Sequence, residues 1–304
     1  MRLLEPKPYQ VIIGSVVAIV AAIIITERVV AFKVNQITHP IRVNHYAMID
    51  DAGQPIQQVE LATADGLNLT GWYIPPQNDA TIILQHGYSA NSAQMLPVAH
   101  MLKRHGYGVL MFDFRGHGKS QGEQVTLGLY EVKDTDAAVA FLRQQPEVNS
   151  KIGLIGNSMG GATGVLAAAE NKQIQAIVIE GVFAELKDEV GIGIQVQTPL
   201  PPSPFDAIFV FFAEWQTGYR LSDIAPVKRI GEISPRSILI LQGGNDARVL
   251  NDSGERLFAA AGEPKEYWHE PSVAHVGFST VVPEEYEQRV VSFFSKYLLG
   301  GQSQ

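Results

Sequence analysis

The stretch Lys151-Ile152-Gly153-Leu154-Ile155-Gly156-Asn157-Ser158-Met159-Gly160-Gly161 sets a serine between a short apolar run and an alanine-rich segment that continues to Glu170. The apolar run is typical of a buried strand, and the segment after it of a helix. A G-x-S-x-G motif at a strand-to-helix turn forces the serine into a strained backbone conformation that exposes its Oγ. The flanking positions must be small because the turn leaves no room for side chains. Ser158 is therefore the candidate nucleophile, provided that the chain supplies partners for it.

On both sides of this turn, apolar runs with strand character alternate with segments of helical periodicity. The hairpin signal Asp65-Gly66 joins the first two strands, so the sheet begins antiparallel. The later strand–helix repeats predict a mostly parallel sheet with helices on both faces, whose ligands bind beyond the carboxyl ends of the strands. Strands are predicted at 58–64, 67–74, 81–85, 108–112, 151–155, 176–180, 237–242 and 266–269, and helices at 91–105, 127–144, 162–170, 255–261 and 284–299.

Residues at about 183–234 interrupt the alternation between two strands. The segment contains four prolines between 199 and 204, followed by the apolar run 207–213. An insertion of this length is unusual as bare loop. It is interpreted as helical structure packed on the core, and as a lid that gives the active site an apolar wall.

A serine hydroxyl needs a neighbouring imidazole to take its proton, and the imidazole needs an acid to orient it. In this type of sheet the chain order is serine, acid, histidine. His275, in a predicted loop beyond the last strand, is the candidate base, whereas His269 within that strand is interpreted as structural. Asp246, directly after strand 237–242, is the candidate acid.

Two other aspartates compete with Asp246. Asp252 is expected to cap the next helix, and Asp223 falls within the insertion. The developing oxyanion needs two donors, which we assign to the backbone N–H groups of Met159 and of Tyr88 in the loop His86-Gly87-Tyr88. His86 is interpreted as a residue that packs this loop.

The bulk properties exclude several classes of chemistry. The 304-residue chain has a formal charge of −8, a pI of about 5.5, and no basic run that would favour nucleic-acid binding. It has no cysteine, so disulfides, cysteine metal sites and thiol nucleophiles are excluded. The histidines lack metal-ligand spacing, and no cofactor or metal is expected.

The N-terminal region contains a segment of membrane-spanning length. Residues 8–26 carry no charge, which matches the length that a helix needs to cross a bilayer, and no clean signal-peptidase site follows. We therefore expect a transmembrane anchor at 1–33, a connecting segment at 34–56 and a globular domain at 57–300. Basic residues flank the segment almost evenly, so they do not decide on which side of the membrane the globular domain lies. They slightly favour a cytoplasmic N-terminus.

Four motifs in order resemble the α/β-hydrolase superfamily: His86-Gly87-Tyr88, the loop Asp113-Phe114-Arg115-Gly116-His117-Gly118-Lys119-Ser120, the turn around Ser158, and the pair Asp246 and His275. The second motif is similar to one found in bacterial esterase-like members and their membrane-anchored eukaryotic relatives. We expect it to be structural, with Asp113 paired to Arg115. The resemblance covers about residues 55–300.

This resemblance implies an α/β-hydrolase fold and a serine hydrolase acting on ester-type bonds through an acyl-enzyme. Relatives with an aspartate at the nucleophile position catalyse other reactions, so the serine favours acyl transfer to water. The anchor and the insertion suggest a small-molecule or lipid-like acyl substrate. A serine peptidase or aminopeptidase on the same fold, and a membrane-tethered binding protein without activity, remain alternatives; the sequence does not indicate the oligomeric state.

Overall fold

The protein is described by a computed structural model that covers residues 7–44, 47–146, 148 and 151–301. Within these residues one eight-stranded sheet has the order β1-β2-β4-β3-β5-β6-β7-β8. β2 runs antiparallel to both of its neighbours, and all other pairs are parallel. The strands are β1 (Gln57–Ala62), β2 (Asn68–Ile74), β3 (Ala80–Gln85), β4 (Gly108–Phe112), β5 (Lys151–Asn157), β6 (Ile174–Glu180), β7 (Ser237–Gly243) and β8 (Lys265–Glu270).

Helices cover both faces of the sheet, so the predicted α/β-hydrolase architecture is confirmed. Strands β3, β4 and β7 are buried along their whole length, as expected for strands covered from both sides. The helices are α1 (Pro8–Thr38), α2 (Leu96–Arg104), α3 (Val132–Leu142), α4 (Met159–Glu170), α5 (Glu189–Gln197), α6 (Pro202–Thr217), α7 (Pro226–Arg229), α8 (Ser253–Ala260), α9 (Phe278–Val281) and α10 (Pro283–Leu298).

The core consists of two layers separated by the sheet. Successive side chains of a strand point to opposite faces, so Ile82 and Leu84 of β3 pack in the layer with α2 and α10. Ile83 points the other way, into the layer with α3, α4 and α8. This arrangement fixes the carboxyl ends of the central strands at one edge, where the candidate side chains lie.

The helix predicted at 127–144 begins only at Val132. Leu127 and Gly128 have φ of +62° and +141°, which are incompatible with a right-handed helix. The carboxylate of Glu131 accepts hydrogen bonds from the backbone N–H groups of Thr126 and Gly128, both at 2.8 Å. The apolar residues that suggested an earlier start therefore belong to a loop that folds back on Glu131.

Helix α1 continues five residues beyond the predicted end of the anchor at residue 33. It is long and apolar enough to cross a membrane, by length and composition alone. Its apolar side chains are exposed up to Val29, whereas Val30 and Val34 are buried against Ala213 of α6. One helix thus has an exposed apolar part and a part docked on the globular domain; residues 1–6 of the expected anchor lie outside the described range.

The insertion between β6 and β7 is mainly helical, as the interpretation of packed helices required. It contains α5, α6, α7 and short 3-10 turns. Helix α6 packs on α5 and on α1, yet its side chains Phe211 and Trp215 are 65% and 69% exposed. The insertion therefore presents exposed apolar side chains on a helix that also packs on α1.

Candidate active site

Ser158 lies at the turn between β5 and α4 in the expected strained conformation. Its φ is +52° and its ψ −118°, a region that costs free energy for any residue with a side chain and that clusters at functional sites. The backbone N–H of Ser158 donates to the Glu180 carbonyl at 2.8 Å, which ties the turn to β6. A Cβ at Gly160 would lie 2.5 Å from the Gln85 carbonyl oxygen. Glycine is required there because the turn packs directly on the end of β3.

The structure brings Ser158, His275 and Asp246 together. The Nε2 atom of His275 is 3.0 Å from the Ser158 Oγ, and its Nδ1 atom is 2.8 Å from Asp246 Oδ2. The Asp246 side chain is fully buried, whereas 14% of the His275 side chain is exposed. The imidazole thus lies between a buried carboxylate and a hydroxyl that solvent can approach.

Each member of this chain of hydrogen bonds is held by its own loop. The second carboxylate oxygen of Asp246 accepts from the N–H groups of Arg248 and Val249 at 2.8 and 3.1 Å. His275 precedes Val276, whose φ of +57° is unusual for a β-branched residue. The Asp246 carboxylate accepts a hydrogen bond from the Nδ1–H of His275, and Nε2 can then accept one from Ser158 Oγ, which is the arrangement for nucleophilic catalysis.

The two backbone donors expected for an oxyanion lie on either side of the nucleophile. Met159 is the first residue of α4, where helix N–H groups lack an intrahelical acceptor. A Cβ on Gly87 would lie 3.5 Å from the Ser158 Cβ, so the loop that carries Tyr88 passes close to the serine. Across the described ranges, the backbone N–H groups of Tyr88 and Met159 donate no hydrogen bond within the protein, which leaves both for an external acceptor.

Two buried histidines shape the loop before Tyr88. His86 Nε2 accepts from the Phe114 N–H at 3.1 Å, so its Nδ1 carries the proton and donates to the Gly87 carbonyl at 2.7 Å. Burial lowers the pKa of His86 to about 4, which keeps the ring neutral. His117 Nε2 accepts from the Ser89 N–H at 3.3 Å. Both rings therefore position backbone, in agreement with the interpretation of His86 as a packing residue.

The expected pairing of Asp113 with Arg115 is wrong. Arg115 pairs with Asp134 at 2.7 Å and with Asp65 at 2.9 Å. The carboxylate of Asp113 instead accepts from the N–H and Oγ of Ser92 and from the N–H of Lys119. The motif is structural, as expected, but its arginine fastens the β1–β2 turn to α3 rather than closing its own loop.

Glu180 is a buried acid beneath the site that sequence reasoning missed. It ends β6, and its Oε1 atom accepts from the Phe278 N–H at 3.0 Å, which ties down the loop that carries His275. Burial, aided by the negative charge of Asp246, raises the pKa of Glu180 to about 7. Glu180 directly follows the apolar run Ile177-Val178-Ile179, and a charged residue in that position could have indicated a buried acid near the site.

Glu189 is a second acid without an expected role. It begins α5 in the insertion, both carboxyl oxygens are buried, and the backbone of Leu250 is a hydrogen-bonding neighbour. Burial and the nearby negative charges of Asp188 and Asp246 raise its pKa to about 7. The insertion thus brings one buried carboxyl group close enough to Asp246 for their charges to interact.

The competing candidates lie elsewhere. His269 is exposed on the edge strand β8, and Asp223 ends a short 3-10 turn in the insertion. Asp252 occupies the N-cap position of α8, but its side chain makes no capping hydrogen bond, so the expected cap is wrong. In the part of the chain that the structure describes, no group of three or more acidic or histidine side chains could hold a metal ion.

Comparisons with known proteins agree with this architecture. Residues 76–208 match the family described as serine aminopeptidase, S33. The chain is 30% identical over 223 residues to the uncharacterized protein Rv2307c of Mycobacterium tuberculosis (strain ATCC 25618 / H37Rv), which covers 72% of each chain. It is 27% identical over 251 residues to the uncharacterized protein YqkD of Bacillus subtilis (strain 168), which covers 80% of this chain and 82% of that protein.

The comparison with solved structures covers more of this chain than the sequence comparisons do. The esterase Pf2001 of Pyrococcus furiosus superposes with a TM-score of 0.74 at 30% identity. The superposition covers 86% of this chain and 98% of the esterase. The similarity therefore extends over nearly the whole of that protein and not over the motifs alone.

Proposed function

The chain belongs to the α/β-hydrolase superfamily, and from this premise we propose that it is a serine hydrolase that cleaves ester-type bonds. The observation that carries the proposal is the unbroken hydrogen-bond chain from Ser158 through His275 to Asp246. The strained backbone at Ser158 supports it, because such strain persists where surrounding structure is selected to hold it. The similarity to an esterase over 98% of that protein's length supports the ester specificity.

The geometry supports a two-step mechanism. His275 Nε2 takes the proton as Ser158 Oγ attacks the carbonyl carbon, and the N–H groups of Tyr88 and Met159 stabilise the oxyanion. As the C–O bond to the leaving alcohol breaks, His275 returns the proton to that oxygen. Water then attacks the acyl-enzyme with His275 again as base, which releases the acid and restores the serine.

The proposal is tested with the full-length protein in proteoliposomes. A fluorophosphonate probe is expected to label the wild type and the Ser292→Ala variant, whose serine lies exposed on α10, but not Ser158→Ala. Turnover of p-nitrophenyl butyrate should follow the same pattern. Labelling or turnover of Ser158→Ala near the wild-type level would rule out this nucleophile, and an unlabelled, inactive wild type would favour the alternative of a binding protein without activity.

We also propose that α1 anchors the protein in a membrane, within the division into 1–33, 34–56 and 57–300. Its length, its apolar composition and its exposed side chains support an anchor. Helix α1 crosses the expected boundary at residue 33 without a break and includes the first five residues of the connecting segment. Retention in the membrane after alkaline carbonate extraction, with a mass that includes α1, is expected; release or cleavage after the apolar run would favour a signal sequence.

A serine aminopeptidase is the second candidate. The matched family carries that description, and the buried carboxyl group of Glu189, whose charge interacts with that of Asp246, is a candidate to bind a substrate amine. Aminoacyl-naphthylamides and p-nitrophenyl esters distinguish the two activities. If amides were turned over faster than esters, and Glu189→Gln raised KM for amides alone, the peptidase would be favoured.

A further inference from the structure

A cavity of about 470 Å³ separates the anchor helix from the insertion. Its lining is almost entirely apolar. Side chains from α1, α5 and α6 supply most of it, among them Val30, Val34, Ile37, Val190, Ile208 and Phe209. This volume falls within the range of small-molecule sites, roughly 300–1,000 Å³. Helix α1 therefore forms one wall of a ligand-sized cavity.

Ser158, Asp246 and His275 do not line the cavity, but two of its lining residues, Ile37 and Glu189, connect it to the proposed active site. Ile37 lines the cavity, and its carbonyl accepts a hydrogen bond from the Tyr88 hydroxyl at 3.0 Å. Glu189 lines the cavity as well, and its charge interacts with that of Asp246. One side of the cavity thus touches the residue that carries the proposed oxyanion donor, and the other approaches the acid of the triad.

The outer end lies at the level where a membrane would end. Residues 8–25 of α1 span about 27 Å as a helix, close to the roughly 30 Å of a bilayer's hydrocarbon core. Ile25 and Thr26 are the first residues of α1 to line the cavity. Helix α6, which packs on α1, carries the exposed Phe211 and Trp215, and tryptophan is enriched at membrane–water interfaces.

We propose that this cavity accepts the acyl chain of a membrane-resident, single-chain ester directly from the adjoining leaflet, with the anchor helix as part of the substrate site. The inference rests on the proposed serine hydrolase and on the proposed membrane anchor. The apolar walls favour one long alkyl chain, because every methylene buried there contributes to binding. Glu189 gives the cavity a hydrogen-bonding group near the triad, which suits the polar head of such an amphiphile.

The first test compares chain-length preference in proteoliposomes, with p-nitrophenyl butyrate and p-nitrophenyl myristate as substrates. Val34→Trp fills the cavity from α1, whereas Phe32→Trp enlarges a side chain of α1 that is 62% exposed and does not line the cavity. One methylene buried is worth roughly a fourfold change in binding. Val34→Trp should therefore lower kcat/KM for the myristate relative to the butyrate by at least about tenfold, and Phe32→Trp by less than about twofold.

A second measurement does not depend on a substitution. A fluorophosphonate with a long alkyl chain that ends in a diazirine is attached to Ser158 and then irradiated. Cross-links on residues 25–38 of α1, on α5 or on α6 are expected. Cross-links confined to other parts of the chain, or an unchanged ratio of myristate to butyrate turnover in a Val34→Trp protein that still reacts at Ser158, would overturn the inference while leaving the proposed hydrolase intact. No reaction of the wild type at Ser158 would instead overturn the proposed function.

Discussion

The carboxyl edge of the sheet and the insertion beside α1 differ in how their side chains are satisfied. At the sheet edge, polar groups such as Asp246, Asp113 and His86 are buried, and each has defined hydrogen-bond partners. In the insertion, large apolar side chains such as Phe211 are exposed. Buried polar networks permit few alternative geometries because their hydrogen bonds are directional. Apolar contacts are not directional, so an apolar surface can bind ligands of different shapes. For the proposed hydrolase, the comparison assigns reactivity to the carboxyl edge of the sheet and substrate choice to the insertion.

The largest effect is expected where the sheet edge holds the imidazole. In Asp246→Asn, the side-chain oxygen can keep the Arg248 and Val249 N–H bonds, which directs the NH2 group toward His275 Nδ1. That contact favours the tautomer with the proton on Nε2, which cannot accept from Ser158. We expect kcat for p-nitrophenyl butyrate to fall by about 10³–10⁴-fold. Asp252→Asn is the control, and its kcat should stay within about twofold of the wild-type value. If Asp252→Asn lost activity while Asp246→Asn kept it, Asp252 would be the acid of the triad instead.

A second prediction concerns the buried ion pairs behind the site. Arg115→Met removes the partner of Asp134, whose side chain is fully buried, and leaves a buried carboxyl group unpaired. The free energy of unfolding in detergent should fall by about 3–5 kcal/mol. The matched change Arg229→Met breaks exposed pairs with Glu170 and Glu232 and should cost less than about 1 kcal/mol. Equal losses in both variants would show that burial does not distinguish the two arginines.

The smallest of the three effects concerns Glu180 and depends on pH. Burial raises its folded pKa to about 7 from 4.5, so the native state binds more protons than the unfolded state between these values. Its contribution to stability is therefore fully present below about pH 4.5 and is lost as pH rises through 7. Glu180→Gln keeps an acceptor for the Phe278 N–H but does not ionise.

The unfolding free energy of Glu180→Gln, relative to wild type, should thus rise between pH 5 and pH 8 by about 1–3 kcal/mol. Glu287, whose side chain is 33% exposed, offers a control because hydrogen bonds with His105 and Arg104 lower its pKa. The unfolding free energy of Glu287→Gln, relative to wild type, should fall or stay constant over the same pH range. Parallel pH profiles for wild type and Glu180→Gln would contradict the buried-acid interpretation.

The sequence predicted the elements and groupings that depend on local pattern. The strand–helix alternation, the hairpin at Asp65-Gly66 and the turn at Ser158 follow from periodicity and from glycine positions, and the structure contains each of them. The proximity of Asp246 and His275 to Ser158 follows from chain order in a parallel sheet, although their catalytic roles remain proposals.

What the sequence did not predict depends on contacts between distant segments. Asp65 was interpreted as a turn residue, yet it also pairs with Arg115 across 50 positions. Glu180 reaches the Phe278 N–H across 98 positions, which no local pattern indicates. The apolar residues around Leu127 resembled a helix face because periodicity does not register a positive φ. The docking of Val34 on α6 was hidden because a membrane segment and a packed helix are equally apolar.

The continuity of α1 has a consequence for how the enzyme would search for its substrate. Helix α1 passes without a break from exposed apolar residues to the docked Val30 and Val34. It would therefore connect the globular domain rigidly to the membrane, unlike a flexible linker. The distance of the globular domain from the bilayer and its orientation would then be fixed. It would encounter molecules that diffuse laterally in the membrane. A shortened chain that begins at residue 34 would lose this geometry along with Val30, so a freed domain would report the chemistry of Ser158 but not the selectivity of the anchored protein.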